Sequence, residues 1–196
     1  MIFVAMGSNR PGTWGTPEST LKQAVLELAK PPDTTILALS SLYATSGAGP
    51  GRPGVFVNAV AGLECHCSPA ALLRRIKAIE RRAGPRSACR WGPRTLDLDI
   101  LDYRGLVAGW PEQGRLTNMA IRKNLIIPHP MLHVRPFVLQ PLVEIAPDWR
   151  HPVLHRSARE LWLRVRDQHN GRILTRLGAL CYPRHDDPLA LTTKSA

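Results

Sequence analysis

The residues able to do chemistry are concentrated in one run, Arg90-Trp91-Gly92-Pro93-Arg94-Thr95-Leu96-Asp97-Leu98-Asp99-Ile100. The alternation of Leu96, Leu98 and Ile100 predicts a β-strand, whose side chains point to opposite faces in turn. Asp97 and Asp99 then share one face, with stems roughly 6.5–7 Å apart from the ~3.3 Å rise per residue. A carboxylate pair at that spacing can bracket divalent ions, which lie about 3.5–4 Å apart in two-metal sites. Hard oxygen donors suit Mg²⁺ held jointly with substrate phosphates. An isolated D-x-D is weak, because an amphipathic strand can carry two exposed acids by accident. The surroundings strengthen it. Aspartate is a poor strand former, so two in one strand need a reason. Just upstream, Arg86, Arg90 and Arg94 crowd a loop containing Gly92 and Pro93. Guanidinium groups fork onto phosphate oxygens, whereas carboxylates meet phosphate only through a metal. Arginines beside an acidic pair therefore predict a nucleotide polyphosphate with its magnesium.

The elements that must position these groups can be read in order. Ile2 to Met6 predicts a buried strand entering a turn at Gly7-Ser8-Asn9. A helix begins at Thr16-Pro17-Glu18, with a capping threonine and proline in the first turn, and Leu21, Ala24, Val25 and Leu28 follow at helical spacing. Thr35 to Thr45 predicts one strand, residues 46–54 an irregular loop, and Val55 to Glu64 another strand. Ser68-Pro69 opens a second helix, lined by Leu72, Leu73, Ile76 and Ile79 and ended by Gly84-Pro85. The clearest strand, Leu96 to Tyr103, comes next. A long polar connection spans Arg104 to Leu125, then Ile127-Pro128-His129-Pro130 forms a rigid turn. Short helices are expected within 134–146 and 157–165, and the last dozen residues are expected to fray. The order βαββαβ predicts an α+β fold, a ferredoxin-like plait with helices on one face of an antiparallel sheet. Residues 1–150 are expected to form the main unit that carries the acidic pair, and residues 151–196 a C-terminal extension of the same domain, partly helical and then frayed.

Composition narrows the partners. The chain has 196 residues and a net charge of +11, from 26 Lys+Arg against 15 Asp+Glu. Such a surface attracts nucleic acid, anionic lipid or phosphorylated small molecules. No apolar run is long enough to span a bilayer, and the start lacks a signal-peptide pattern, so a cytoplasmic protein is expected. The cysteines Cys65, Cys67, Cys89 and Cys181 are too scattered for a disulfide framework. Cys65-His66-Cys67 has the wrong spacing for a zinc half-site and reads as residues near a strand end.

The run Arg90 to Ile100 resembles the signature R-W-G-P-R-T-L-D-L-D-[IL] of the 6-hydroxymethyl-7,8-dihydropterin pyrophosphokinases. Further matches follow in order. They are Gly7-Ser8-Asn9, Ser41-Leu42-Tyr43 with Thr45, Phe56-Val57-Asn58-Ala59, and Ile127-Pro128-His129-Pro130 through Arg135-Pro136-Phe137-Val138-Leu139. The resemblance covers about residues 1–150. It implies transfer of pyrophosphate from ATP to the pterin hydroxymethyl group in folate biosynthesis, with release of AMP. Asp97 and Asp99 would hold two Mg²⁺ ions that clamp the triphosphate, and Arg94 and Arg86 would stabilise the migrating charge. Glu80, Arg86, Arg90, Trp91, Arg94, Ile100, His129 and Arg135 match nucleotide-binding positions. Phe56 and Phe137 match rings that sandwich the pterin, Asn58 an amide that reads its edge, and Thr45, Ser46, Gly47 and Ala48 a segment offering main-chain groups. Read without the resemblance, His129 is a turn histidine and both phenylalanines are core aromatics.

The sequence departs from the family pattern in places. Thr45-Ser46-Gly47-Ala48-Gly49 replaces a T-x-P-x-G-like loop, and the arginine loop is one residue shorter than in some relatives, so the family position filled by Arg86 is open. The 104–125 connection is longer than usual, and the chain past Trp149 matches poorly. The competing reading is a basic ferredoxin-like nucleic-acid-binding module. It lacks the aromatic RNP pattern, and a D-x-D on the sheet would repel phosphate without a metal. The P-loop and protein-kinase motifs are also missing. A monomer acting on ATP and a reduced pterin, without nucleic acid or membrane, is expected.

Overall fold

The computed structural model describes residues 1–30, 34–48, 54–85, 94–110 and 125–181. Its elements are β1 (Ile2–Ser8), α1 (Pro17–Leu28), β2 (Thr34–Leu39), β3 (Ser41–Ser46), β4 (Val55–Cys65), α2 (Pro69–Ala83) and β5 (Asp97–Tyr103). A short 3₁₀ turn (Leu132–Val134), α3 (Pro136–Ile145), α4 (Ala158–Val165) and β6 (Ile173–Ala179) complete the described chain. The expected threonine cap of α1 forms, and the starts of α2 and α4 are capped as well. Thr16 Oγ1 accepts from the Ser19 N–H, Ser68 Oγ from the Ala71 N–H, and Ser157 and Glu160 close a reciprocal capping box on α4.

All strand pairs are antiparallel, in the order β5-β1-β4-β3-β6, with β2 also paired to β4. The expected single strand from Thr35 to Thr45 is two strands divided at Ser40. There the Ser40 hydroxyl donates to its neighbour's carbonyl, Ser41 O, and accepts the Val60 N–H, so a side chain interrupts the ladder. With β1 along one edge, strand β4 thereby serves two partners along its other edge, β2 on its second half and β3 on its first. Strand β6 is an addition to the expected plait. Apart from half-buried Ile173 its residues are exposed, so it carries no alternation of buried and exposed positions for a pattern to reveal.

The sheet separates two apolar clusters. On one face Ile2, Val4 and Met6 of β1 and Leu98 and Ile100 of β5 meet Leu21, Val25 and Leu28 of α1 and Leu72, Ile76 and Ile79 of α2. On the other, Phe3, Val60 and Leu101 meet Val138, Leu139 and Leu142 of α3 and Leu161 and Val165 of α4. The helices of the plait thus share one face as expected, and the two later helices cover part of the opposite face. A register shift inserts Leu101 into β5, since Val4 faces Ile100 while Phe3 faces Asp102. No helix among the described residues is long and apolar enough to cross a membrane.

Candidate active site

Strand β5 lies at the edge of the sheet, and its two faces have opposite environments. Leu98 and Ile100 are packed into the α1/α2 core, while Asp97 and Asp99 point the other way, with side chains 25% and 34% exposed. The strand is held from both sides. On α2, Glu80 Oε1 accepts the Leu98 N–H at 2.9 Å and Lys77 Nζ donates to Leu98 O at 3.2 Å, with a 2.7 Å ion pair between the two side chains. At the end of β1, Asn9 Oδ1 accepts the Arg94 N–H at 2.8 Å and Asn9 N–H donates to Arg94 O at 3.1 Å. These bonds fix the peptide between the two acids and the backbone of the arginine beside them.

Two guanidiniums and an imidazole converge on the acidic pair. The Arg94 guanidinium contacts the Asp97 carboxylate directly. Arg135 Nη1 stands 3.9 Å and His129 Nε2 3.8 Å from Asp99 Oδ2. Burial pushes the Asp99 carboxyl up, but in the acid range where it titrates the positive fields of His129, which is protonated only there, and of Lys77, Arg135 and Arg94 outweigh burial and hold the pKa below the ordinary value. Burial depresses His129 to about 4 despite the pull of Asp99, so its ring is neutral at pH 7. Its Nδ1 accepts the Met131 N–H at 3.1 Å, which leaves Nε2 as the protonated nitrogen facing Asp99. Burial lowers Arg135, whereas Asp97 and Asp99 raise Arg94 above its usual value against the effect of burial.

Arg94, Asp97, Asp99, His129 and Arg135 line one cavity of about 430 Å³ together with Thr45, Ser46, Ala48, Phe56, Asn58 and Phe137. The floor depends on a glycine. A Cβ at Gly7 would lie 2.8 Å from Asn58 Oδ1, so the bare backbone of β1 lets that amide occupy the cavity edge. Asn58 Nδ2 donates to Thr45 Oγ1 at 2.7 Å, which fixes which way the amide faces. Phe137 projects from the first turn of α3, with the Arg135 guanidinium 5.7 Å from its ring centroid. Ser46 spends its N–H and hydroxyl on residues 169–172, and Gly47 sits between two lining residues.

Of the other expected residues, Ile100 is buried on the opposite face. Glu80 is 3% exposed, bound to Leu98 and Lys77, and borders a neighbouring cavity of about 370 Å³ with Lys77, Arg81, Gly84 and Pro85. Arg86, Arg90 and Trp91 lie outside the described residues. Sequence reasoning missed Lys77, Met131, Val134 and Asn170. Lys77 was within reach, three residues before Glu80 on one helix face, whereas Asn170 belongs to a turn with no motif at all. Among the described residues no three His, Cys, Asp or Glu side chains cluster as a protein-only metal cage. Two partly exposed carboxylates at a cavity wall, flanked by arginines, fit a hard cation that takes its remaining oxygens from phosphate and water.

Comparison with known proteins identifies relatives of the chain. Residues 3–147 match the family model described as 7,8-dihydro-6-hydroxymethylpterin-pyrophosphokinase. Among curated proteins, the 2-amino-4-hydroxy-6-hydroxymethyldihydropteridine pyrophosphokinase of Pseudomonas aeruginosa is 36% identical over 151 residues, covering 77% of this chain and 83% of that protein. The Bacillus subtilis protein of the same name is 31% identical over 171 residues, covering 87% and 93%. Among solved structures, Plasmodium falciparum HPPK-DHPS aligns with a TM-score of 0.58 at 15% identity, covering 83% of this chain and 44% of that one. That likeness concerns the fold alone. The family match over 3–147, which takes in Asp97, Asp99, His129 and Arg135, means that the chain belongs to the 7,8-dihydro-6-hydroxymethylpterin-pyrophosphokinase family.

Proposed function

We propose that this chain, a pyrophosphokinase of folate biosynthesis by family, moves the β,γ-pyrophosphoryl group of ATP onto the hydroxymethyl oxygen of 6-hydroxymethyl-7,8-dihydropterin. The observation that carries the reading is a single cavity lined by Arg94, Asp97, Asp99, His129 and Arg135 on one side and by Phe56, Asn58 and Phe137 on the other. Polyphosphate chemistry and a flat apolar slot meet there. Asp97 and Asp99 would hold two Mg²⁺ ions, which when bound neutralise phosphate charge and lower the pKa of a coordinated hydroxyl.

The chain's own residues supply the rest. Phe56 and Phe137 stack on the pterin faces, and Asn58, oriented by Thr45, reads its polar edge alongside main-chain groups of the 45–48 segment. The substrate hydroxyl oxygen attacks the β-phosphorus as the bond from that phosphorus to the α-phosphate bridging oxygen breaks. The hydroxyl proton passes to solvent water and AMP leaves. Arg94 and Arg135 present fixed positive charge where negative charge builds up, and they do so in a partly dehydrated cavity where such charge counts for most. Neutral His129 donates from Nε2 to a phosphate oxygen. Arg86, Arg90 and Trp91 complete the nucleotide side, while Glu80 and Ile100 act there by holding β5 in place. The enzyme works as a monomer in the cytoplasm, in keeping with two small soluble substrates.

The test is to incubate the protein with ATP, Mg²⁺ and the reduced pterin and to identify the products. AMP and the pterin diphosphate are expected, and product is lost when the metal is chelated. Formation of ADP, or no reaction, would overturn the reading. The nucleic-acid-binding alternative finds no support, because the family match is to a pyrophosphokinase and the cavity face carries an acidic pair that would repel a phosphate backbone in the absence of metal.

A further inference from the structure

Beyond the family-matched residues 3–147, the chain returns to the cavity. The turn of residues 169–172, between α4 and β6, is tied to the candidate substrate slot by three hydrogen bonds to one residue. Ser46 N–H donates to Arg172 O at 2.9 Å, Arg172 N–H donates to Ser46 Oγ at 3.0 Å, and Ser46 Oγ donates to His169 O at 3.2 Å. Asn170 lines the cavity itself. Gly171 lies against Phe137, with positive φ (+73°). A Cβ there would fall 2.5 Å from Phe137 Cδ1, 3.1 Å from Cε1 and 3.4 Å from Ala48 Cβ. Separations under 3.0 Å cannot be kept, so a ring or a backbone has to move. The strand behind the turn is anchored too. Arg176 of β6 pairs with Glu144 of α3 at 2.8 Å and donates to Ser41 Oγ of β3 at 2.8 Å. Glu144 also accepts the Ser41 N–H and the Tyr43 hydroxyl. The turn therefore sits on a rigid base and touches both the phenylalanine wall and the 46–48 edge of the slot.

We infer that the 169–172 turn is a specificity element of the pterin slot, in which Gly171 sets the position of the Phe137 ring and Ser46 couples the turn to the opposite edge. The inference rests on the reading of Phe56 and Phe137 as the stacking walls. Gly171 is a positioning residue. It acts through Phe137, and its removal alters how the pterin fits far more than it alters the phosphate side, which the ring meets only through the Arg135 guanidinium 5.7 Å from its centroid.

The decisive experiment is a double-mutant cycle on the full chain. Gly171→Ala raises KM for the dihydropterin by about tenfold, while kcat and KM for ATP stay within about threefold, because the displaced group contacts one substrate only. In a Phe137→Leu background the same change adds less than about twofold, since the ring it strikes is gone. An unchanged pterin KM, an equal loss in kcat, or additive effects in the two backgrounds would each overturn the inference. Should Gly171→Ala fail to fold, Ser46→Ala decides the matter. It keeps the backbone, removes two of the three bonds to the turn, and is expected to raise pterin KM about threefold with kcat held. A wild-type KM in that variant overturns the inference equally. Wild-type protein that makes no AMP from ATP and the pterin defeats the stacking reading itself, whereas normal wild-type turnover with an unaffected Gly171→Ala defeats this inference alone.

Discussion

The two faces of the sheet have been put to different uses. Toward α1 and α2 the side chains of β1 and β5 enter a continuous apolar cluster, with Leu98, Ile76 and Leu21 wholly buried. Toward α3 and α4 the apolar cluster is smaller, and beside it lies a cavity holding two carboxylates, two arginines and a histidine. The first face contributes stability through burial, at about 1.5–3 kcal/mol for each large aliphatic side chain. The second keeps charges close together that must remain solvated or find a ligand. Because the pleat puts alternate residues on opposite faces, a single strand joins them. Leu98 and Ile100 hold β5 still so that Asp97 and Asp99 can be aimed.

That division can be broken from either side. Asp97→Ala or Asp99→Ala is expected to lower kcat/KM for pyrophosphoryl transfer by about 10³-fold or more, with the melting temperature little changed. Retention of near-normal AMP formation in either variant would remove the acidic pair from the chemistry. Leu98→Ala, one residue away on the dry face, should do the reverse. Urea unfolding is expected to show a loss of about 2–5 kcal/mol, with kcat within about threefold in the protein that remains folded. An activity loss as deep as that of the aspartates would mean that the faces are not separable. Arg94→Ala is expected to lower kcat by about 10²-fold with a smaller change in KM for ATP, because its charge is most useful in the transition state. A change confined to KM would assign it to ground-state binding.

The smallest effect concerns pH and belongs to the second face. His151 is wholly buried beside Trp110, Trp149 and His133, and its Nδ1 accepts the Val153 and Leu154 N–H groups. Burial, with lesser contributions from His133 and His155, lowers its pKa from 6.5 to about 4. The unfolded chain therefore takes up the proton first as pH falls. Stability is full above pH 6.5 and declines toward pH 4, by roughly 2 kcal/mol at pH 5 from this residue. Comparing the unfolding free energy of wild type and His151→Gln at pH 7 and pH 5 should show a flatter dependence in the variant. Parallel curves would place the acid sensitivity elsewhere.

Much of the frame is legible without coordinates because its signals are local. Thr16, Ser68 and Ser157 mark helix starts, apolar residues at helical spacing mark the buried sides of α1 and α2, and strict alternation marks β5. The errors share a cause as well. The division of β2 from β3 depends on the Ser40 hydroxyl finding Val60, a partner twenty residues away. Strand β6 depends on an open edge of β3 rather than on its own exposed residues. Neither signal exists within a short window of sequence.

The same boundary runs through the site. The placement of Asp97 and Asp99 on one side and of Leu98 and Ile100 on the other is dictated by the pitch of an extended chain, so eleven consecutive residues are enough to read it. Which groups would meet those acids is another matter. His129 and Arg135 reach Asp99 only because the 3₁₀ turn and α3 pack across the sheet, and Gly171 reaches Phe137 only because β6 pairs with β3. Periodicity is a property of neighbouring residues, whereas convergence depends on how distant surfaces fit, and only the folded chain brings those surfaces together.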